Sequence, residues 1–105
     1  MTLLHAQPDA VATAVFRREV RRWSKRIGVE VREIRIRSMK RKLASASSVG
    51  RVTFDSSLLG ASSERRSEVV VHELVHLRVG NHGPLFKALV RAYLAEAPVA
   101  PPSRR

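Results

Sequence analysis

The segment from Val69 to His82 constrains the fold and chemistry of this chain more than any other stretch. It reads Val-Val-Val-His-Glu-Leu-Val-His-Leu-Arg-Val-Gly-Asn-His. Its first part is nearly all valine and leucine apart from a few polar residues, which predicts a buried helix. Residues four apart in a helix lie one turn apart, with Cβ atoms about 5–6 Å from each other. His72, Glu73 and His76 are therefore expected on one face.

This spacing allows two imidazoles to hold one metal ion. Zinc favours neutral imidazole nitrogen in tetrahedral geometry, and catalytic zinc sites use three protein ligands and leave the fourth position to water. A glutamate beside the first histidine can take a proton from that water, as in the zinc-hydrolase helix signature. The pattern predicts one Zn²⁺ ion with Glu73 as the general base.

A third ligand is expected just after the helix. Gly80 and Asn81 tolerate the left-handed conformation that turns a chain out of a helix. His82 follows directly, and the residues between it and the helical pair have ample reach for a reversal. Pro84 suits the first turn of another helix. We therefore predict that the metal ligands are His72, His76 and His82.

The same histidine spacing is also compatible with ordinary polar residues on a solvent-exposed helix face. Three of the four histidines of the chain lie between positions 72 and 82, and the motif glutamate is in place. Polar groups within an otherwise apolar helix need partners. These observations favour the metal site.

Five segments of the chain, in this order, resemble the YgjP-like metallopeptidase domain. They are Ile36–Lys40, Ser47–Gly50, Val52–Asp55, Val70–Leu77 and Asn81–Phe86. The small minigluzincins and the SprT-like proteases are similar in outline. The resemblance implies a minimal zincin-like α+β domain with zinc on His72, His76 and His82 and with Glu73 as general base.

The chain departs from the family pattern at positions outside the metal set. Leu43–Ala46 stands where the family usually has Trp-Gly-Ser-Cys, Asp55 stands where it has asparagine, and Lys87 stands where it has an aromatic residue. These departures concern the surroundings in which a substrate would bind beside the metal.

The remaining sequence predicts an α+β domain with one modest core. A chain of 105 residues removes about two-thirds of its unfolded surface from water on folding. We expect one domain over residues 1–96 and a disordered Pro- and Arg-rich tail over residues 97–105. The first expected element is an amphipathic helix from about Pro8 to Ile27 that Gly28 ends. A continuous but locally irregular strand over 29–37 and a hairpin over 42–54 follow. The helix that carries His72 and His76 is expected to be capped by Ser62 or Ser63, and a C-terminal helix is expected from Pro84.

The helices and the hairpin carry further predictions. Small residues at 44–46 leave room for another backbone, and an edge strand beside the metal pairs with an extended substrate in zinc proteases of this outline. Residues 55–63 are expected to form a polar connection in which Leu58 and Leu59 turn into the core. The predicted apolar stripes are Ala12, Phe16, Val20, Trp23 and Ile27 on the first helix and Leu85, Phe86, Leu89, Val90 and Tyr93 on the last.

Composition excludes several classes of site. The chain has no cysteine, which excludes disulfides and thiolate metal clusters. No apolar run approaches the length of a membrane span, and the first eight residues lack the pattern of a signal peptide. We expect a cytoplasmic monomer without membrane contact.

Positive charge is concentrated in one part of the chain. The net charge is +11, and the segment Arg17–Lys42 holds twelve Lys or Arg and three Glu. This basic run is either a solvated face or a contact for an acidic partner such as nucleic acid, a nucleotide or an acidic polypeptide.

Two functions remain open at this point. One is a zinc metallopeptidase acting on peptides or unfolded proteins, and the other is a basic nucleotide- or nucleic-acid-binding protein whose zinc site is structural or hydrolyses a phosphate ester or anhydride.

Overall fold

Residues 2–96 fold into three α-helices and a three-stranded mixed sheet, which confirms the predicted α+β class. The computed structural model describes residues 2–96, and the predicted tail at 97–105 lies outside the described residues. Within residues 2–96, no helix has both the length and the apolar character needed to cross a membrane. The elements are α1 (Thr2–Ile27), β1 (Glu33–Arg37), β2 (Ala44–Ala46), β3 (Arg51–Asp55), a 3₁₀ helix (Ser56–Gly60), α2 (Ser63–Arg78) and α3 (Pro84–Ala95).

Helix α1 buries the predicted apolar stripe except Ala12, which is half-buried, and the helix ends where the sequence indicated. Gly28 has φ +83°, and the N–H groups of Gly28 and Val29 donate to the Ser24 carbonyl at 2.9 and 3.0 Å. Glycine adopts this left-handed conformation without steric cost, so it closes the helix. The helix begins at Thr2, six residues before the predicted start. Leucine, alanine and glutamine have high helix propensity and extend it past Pro8, although a proline donates no backbone hydrogen bond.

Strand β1 is shorter than predicted, and the continuous strand over 29–37 was wrong. The N–H groups of Arg32 and Glu33 both donate to the Gly50 carbonyl, at 2.8 and 3.3 Å. This shared acceptor lies where the alternation of apolar residues slips. The preceding segment bonds to α1 instead of to a strand, because Arg21 donates from Nη1 to the Val31 carbonyl at 2.6 Å. The irregularity was therefore predicted in the right place, but the strand begins only after it.

The sheet has the order β1-β3-β2, and the predicted hairpin is confirmed. Strand β1 is parallel to β3, with Ile34 opposite Val52. Strand β2 is antiparallel to β3, with Ala44 opposite Phe54. The turn needs glycine at Gly50, which has φ +93°, and a Cβ there would lie 3.1 Å from the Glu30 carbonyl oxygen. The hairpin leaves β2 as an edge strand beside α2.

The core lies between the sheet and the three helices, with α2 as its centre. Helix α2 packs against α1, α3 and β2, and its buried residues are Val69, Val70, Val71, Leu74 and Val75. The rings of Phe16 and Phe54 meet edge to face, with centroids 5.0 Å apart, which joins α1 to the sheet. The predicted burial of the helix that carries His72 and His76 is confirmed.

Polar contacts fix the start of α2. Ser62 is the N-cap and accepts from the Arg65 N–H at 3.1 Å, as predicted, and Glu64 lies in the first turn, where a negative charge favours the helix dipole. The Arg66 guanidinium donates to both oxygens of Glu19 at 2.8 and 2.9 Å, which ties α2 to α1.

Two details between the strands and at the last helix differ from expectation. The connection at 55–63 contains a 3₁₀ helix that Asp55 caps, which the sequence did not predict. The burial of Leu58 and the partial burial of Leu59 in this helix agree with the prediction. Helix α3 begins at Pro84 as predicted and buries Phe86, but Leu85 is 60% exposed. Leu85 lies about 100° around the helix from Phe86, and the buried stripe continues toward Leu94 instead of including Leu85.

Part of the basic run serves the fold. Arg17 donates from Nη1 to the Ile34 carbonyl at 2.7 Å, and Arg21 bonds to Val31 as described above. Strand β1 lies at one edge of the sheet, so these guanidinium groups satisfy backbone acceptors that have no strand partner. The basic run is therefore not wholly a solvated face.

The burial of α2 predicts a large cost for truncating its core residues. Leu74 is 0% exposed, so Leu74→Ala is expected to lower the free energy of unfolding by about 2–4 kcal/mol through loss of apolar burial and creation of a cavity. Urea denaturation measures this loss. Leu85→Ala is the matched control on an exposed leucine and is expected to change stability by less than about 0.5 kcal/mol. Equal effects of the two substitutions would show that α2 lies at the surface.

Candidate metal centre

Helix α2 supplies two of the predicted ligands in the expected geometry. His72 and His76 are one turn apart, and their ring centroids are separated by 5.0 Å. Both side chains are half-buried. The valines and leucine around them face the core, so the helix holds its polar face in a fixed orientation toward the α2–α3 connection.

The α2–α3 connection brings the third histidine back, by a route other than the predicted one. Helix α2 ends at Arg78, and Val79 is extended with φ −132° and ψ 112°. Within residues 2–96, the only positive φ angles are at Gly28 and Gly50, so the predicted left-handed exit at Gly80 and Asn81 was wrong. The reversal uses the extended Val79 and an Asn81 side chain whose Oδ1 accepts from the Gly83 N–H at 3.0 Å. This side-chain turn replaces the left-handed residue.

The three predicted ligand side chains converge on one point. The Nε2 atoms of His76 and His82 are 2.7 Å apart, and the ring centroids of His72 and His82 are 5.2 Å apart. One possible ligand atom from each of the three residues lies within 4.8 Å of the others. The structure thus brings together all three histidines that the sequence singled out.

The convergent set fits a zinc ion. Neutral imidazole nitrogen is a preferred zinc ligand, and three protein ligands leave one coordination position open, as catalytic sites do. His72 is held toward its neutral form, because burial lowers its pKa and the neighbouring His76 and His82 lower it further. The neutral form is the one that binds metal.

Phe86 is part of this site, which the sequence reasoning missed. Its ring centroid lies 5.1 Å from that of His72, 4.7 Å from that of His76 and 4.5 Å from that of His82. Phe86 is 3% exposed, so it forms an apolar wall behind all three imidazoles. The sequence placed it in the buried stripe of α3, and only its position four residues after His82 hinted at the second role.

Glu73 lies next to the ligand cluster in a partly desolvated environment. Burial raises its pKa, whereas the charges of Lys42 and His82 act in the opposite direction. A carboxyl group with a raised pKa exchanges protons more readily near neutral pH than a fully hydrated one. Glu73 can therefore act as a base beside the three imidazoles.

Two clefts share Glu73 in their lining, and strand β2 borders both. One, of about 350 Å³, is lined by Glu73, His76 and residues 44–48. The other, of about 480 Å³, is lined by His72, Glu73, Leu43 and Leu94 among others. The candidate metal centre is thus open to a ligand along the edge of the sheet.

The outer edge of β2 carries backbone groups that can bond to an extended chain. Leu43 accepts from the Asp55 N–H at 2.8 Å, and the Ser47 N–H donates to Arg51 at 2.9 Å, so these residues face β3. In an antiparallel ladder, residues whose backbone N–H and C=O groups face the partner strand alternate with residues whose groups face away from it. The N–H and C=O groups of Ala44 and Ala46 therefore face the free edge, where no described strand pairs with them.

Comparison with known proteins supports a metallopeptidase fold. The crystal structure of the metallopeptidase zymogen jannalysin of Methanocaldococcus jannaschii is 25% identical in sequence, with a TM-score of 0.68 over 74% of this chain and 80% of that chain. The zymogen of abylysin from Pyrococcus abyssi is also 25% identical, with a TM-score of 0.65 over 72% of this chain and 76% of that chain. No curated protein sequence matches this chain.

A family comparison covers nearly the whole sequence. The profile described as "YgjP-like, metallopeptidase domain" matches residues 3–100, which confirms the resemblance seen in the sequence segments. The fold, the convergent histidines and this match agree with one another. The chain belongs to the YgjP-like metallopeptidase domain family.

Proposed function

We propose that this chain is a zinc-dependent peptidase in which His72, His76 and His82 hold one Zn²⁺ ion and Glu73 is the general base. The observation that carries the proposal is the convergence of the three imidazoles within 4.8 Å beside a partly buried carboxylate. Membership of a metallopeptidase family supports the same reaction class.

The residues of the chain have distinct roles in this reaction. A zinc ion supplies Lewis-acid chemistry, which polarises a substrate carbonyl and makes water more acidic. The Glu73 carboxylate accepts a proton from the attacking water and delivers it to the leaving amine. The Phe86 ring packs against all three imidazoles, which keeps their ring nitrogens directed at a common point.

The edge of β2 supports a polypeptide substrate. Ala44 and Ala46 present backbone donors and acceptors to the open side of the sheet, and their small side chains let another backbone approach. An extended peptide that adds to this edge gains main-chain hydrogen bonds with little dependence on its side chains. Its scissile bond would then pass beside Glu73, since Glu73 lines the cleft that residues 44–48 border.

The alternative role in nucleotide or nucleic-acid binding receives less support. Arg17 and Arg21, at the start of the basic run, donate to backbone carbonyls of the chain itself. Their guanidinium groups are therefore partly committed to the fold. The family match likewise concerns peptide hydrolysis and not phosphate chemistry.

Cleavage of an unfolded protein tests the proposed reaction. Protein treated with a chelator and then reconstituted with zinc is expected to cleave casein at a rate that follows its zinc content, because the open coordination position is needed for catalysis. Chelator-treated protein is expected to be inactive, and added zinc is expected to restore activity. A folded, zinc-loaded protein that leaves casein and short peptides intact would contradict the proposal.

A further inference from the structure

Basic side chains surround the candidate active site. Lys42 lines both clefts beside Glu73, and Arg65 lines the larger of them. A third cleft of about 370 Å³, between His72, His82 and α3, is lined by Lys87 and Arg91. Each of these three clefts therefore has at least one cationic side chain in its lining.

Few carboxylates balance these cations. Glu68 lines the larger cleft, but it lies 3.2 Å from Arg65 and so offsets that residue. The other carboxylate among the residues lining these three clefts is Glu73. Within residues 10–96, none of the side chains of Lys42, Lys87 and Arg91 has a carboxylate oxygen within 4.0 Å.

This charge arrangement favours anions near the reacting bond. A cleft lined by charges of one sign focuses the electrostatic field and raises the local concentration of ligands of the opposite sign. The net charge of +11 adds to this attraction at long range. Lys42 and Glu73 line the same two clefts, so the Lys42 ammonium group lies near the place where a substrate would be cleaved.

The shape of the site favours a polypeptide over a nucleic acid as the anionic ligand. The clefts border the edge of β2, whose Ala44 and Ala46 offer alternate backbone hydrogen bonds that match an extended peptide. Single-stranded nucleic acids bind through a groove that combines positive charge with exposed aromatic rings. Of the Phe, Tyr and Trp rings among the described residues, Phe86 alone lines one of these clefts, and it is buried against the histidines.

We propose that the site selects acidic peptides, with Lys42, Lys87 and Arg91 binding Asp or Glu side chains that flank the scissile bond. This inference rests on the proposed peptidase function and adds its substrate class. Lys42 is the principal specificity residue, because it borders both clefts at Glu73. Lys87 and Arg91 extend the same preference to the α3 side of the histidines.

Binding without cleavage tests this selectivity separately from catalysis. Zinc-loaded Glu73→Gln protein is titrated with fluorescent peptides of one sequence in which the residues flanking the central bond are all Glu, all Gln or all Lys, and anisotropy gives the Kd. The Glu peptide is expected to bind about fivefold more tightly than the Gln peptide at low salt, as two or three exposed ion pairs allow. The Lys peptide is expected to bind most weakly, and the preference is expected to shrink as salt increases.

A matched pair of variants separates local from global charge. Lys42→Gln, added to the Glu73→Gln protein, is expected to remove most of the preference for Glu over Gln. Arg22→Gln changes the net charge equally but lies on an exposed part of α1 outside the clefts, and it is expected to keep the preference. Lys87→Gln provides a second variant at the α3 side, where a partial loss is expected.

Several results would overturn the inference. Equal affinity for the Glu and Gln peptides would do so, and so would equal effects of Lys42→Gln and Arg22→Gln. A single-stranded DNA oligonucleotide that displaces the Glu peptide and loses affinity in Lys42→Gln would assign the cations to nucleic acid instead. Selective binding of the Glu peptide combined with no cleavage by the zinc-loaded wild type would support the acidic selectivity and contradict the peptidase reaction, so the two failures are distinguishable.

Discussion

Glu73→Gln is expected to lower peptide cleavage by about 10²–10⁴-fold, the usual contribution of a positioned general base. Glutamine keeps the size of the side chain and one acceptor oxygen, but its amide cannot accept the proton of the attacking water. Because Glu73 is not one of the three convergent imidazoles, the zinc content of the variant is expected to match that of the wild type. Initial rates on a fluorogenic peptide, measured beside elemental analysis of the same samples, check both expectations.

The same substitution makes a separate prediction about stability. Burial raises the pKa of Glu73 from its ordinary value of 4.5, so the folded state disfavours the charged carboxylate. The metal-free wild type is therefore expected to lose stability as the pH rises from about 4.5 through the raised pKa. The glutamine variant lacks this loss and is expected to have the higher unfolding midpoint at neutral pH.

A control variant and two outcomes make the prediction about cleavage by Glu73→Gln decisive. Glu64→Gln removes a carboxylate from the exposed first turn of the same helix, and it is expected to keep wild-type activity. Cleavage by Glu73→Gln at a rate close to that of the wild type would remove Glu73 from the reaction. A joint loss of zinc and activity would instead assign Glu73 a part in holding the metal.

Phe86→Ala is expected to lower the free energy of unfolding by about 3–4 kcal/mol and to weaken zinc binding. The stability loss follows from removing a fully buried ring. The ring packs on His72, His76 and His82 with centroid distances of 4.5–5.1 Å, so its removal frees the imidazoles to rotate and admits water behind them. Weakening of about tenfold in zinc affinity is expected, comparable to the loss of other groups that orient metal ligands.

A second buried phenylalanine separates the two effects. Phe16 is 1% exposed and packs on Phe54, away from the histidines, so Phe16→Ala is expected to lose similar stability without changing the zinc affinity of the folded protein. Affinity is measured by competition with a chelator well below the unfolding temperature of each variant. If Phe16→Ala and Phe86→Ala bind zinc equally well, Phe86 contributes only to the core.

The convergence of the candidate site was largely predictable from sequence because its three histidines are close together in the chain. His72 and His76 are four residues apart in a strongly apolar helix, so helix geometry alone places them together. His82 follows closely enough that a short reversal suffices to return it. The role of Phe86 was not predictable in the same way, because an apolar residue on a helix gives no indication of which neighbouring element it faces.

The errors in the fold arise where side chains bond to backbone. Strand β1 was predicted to continue from Val29, but Arg21 of α1 takes the Val31 carbonyl, a tertiary contact that local alternation cannot reveal. The exit from α2 was predicted to use a left-handed Gly80, but the Asn81 side chain supplies the turn by accepting from the Gly83 N–H. In both places a backbone group finds its hydrogen-bond partner in a side chain, which local sequence patterns do not reveal.

Elemental analysis of zinc in the wild type, His76→Ala and His82→Ala tests the central claim most directly. Each protein is reconstituted with zinc and dialysed, and circular dichroism confirms that it is folded. The account predicts about one tightly held zinc per chain in the wild type and a large loss in both variants, since three protein ligands are needed for a catalytic site of this kind. Low zinc in all three proteins, or full retention by His82→Ala, would contradict the three-histidine centre.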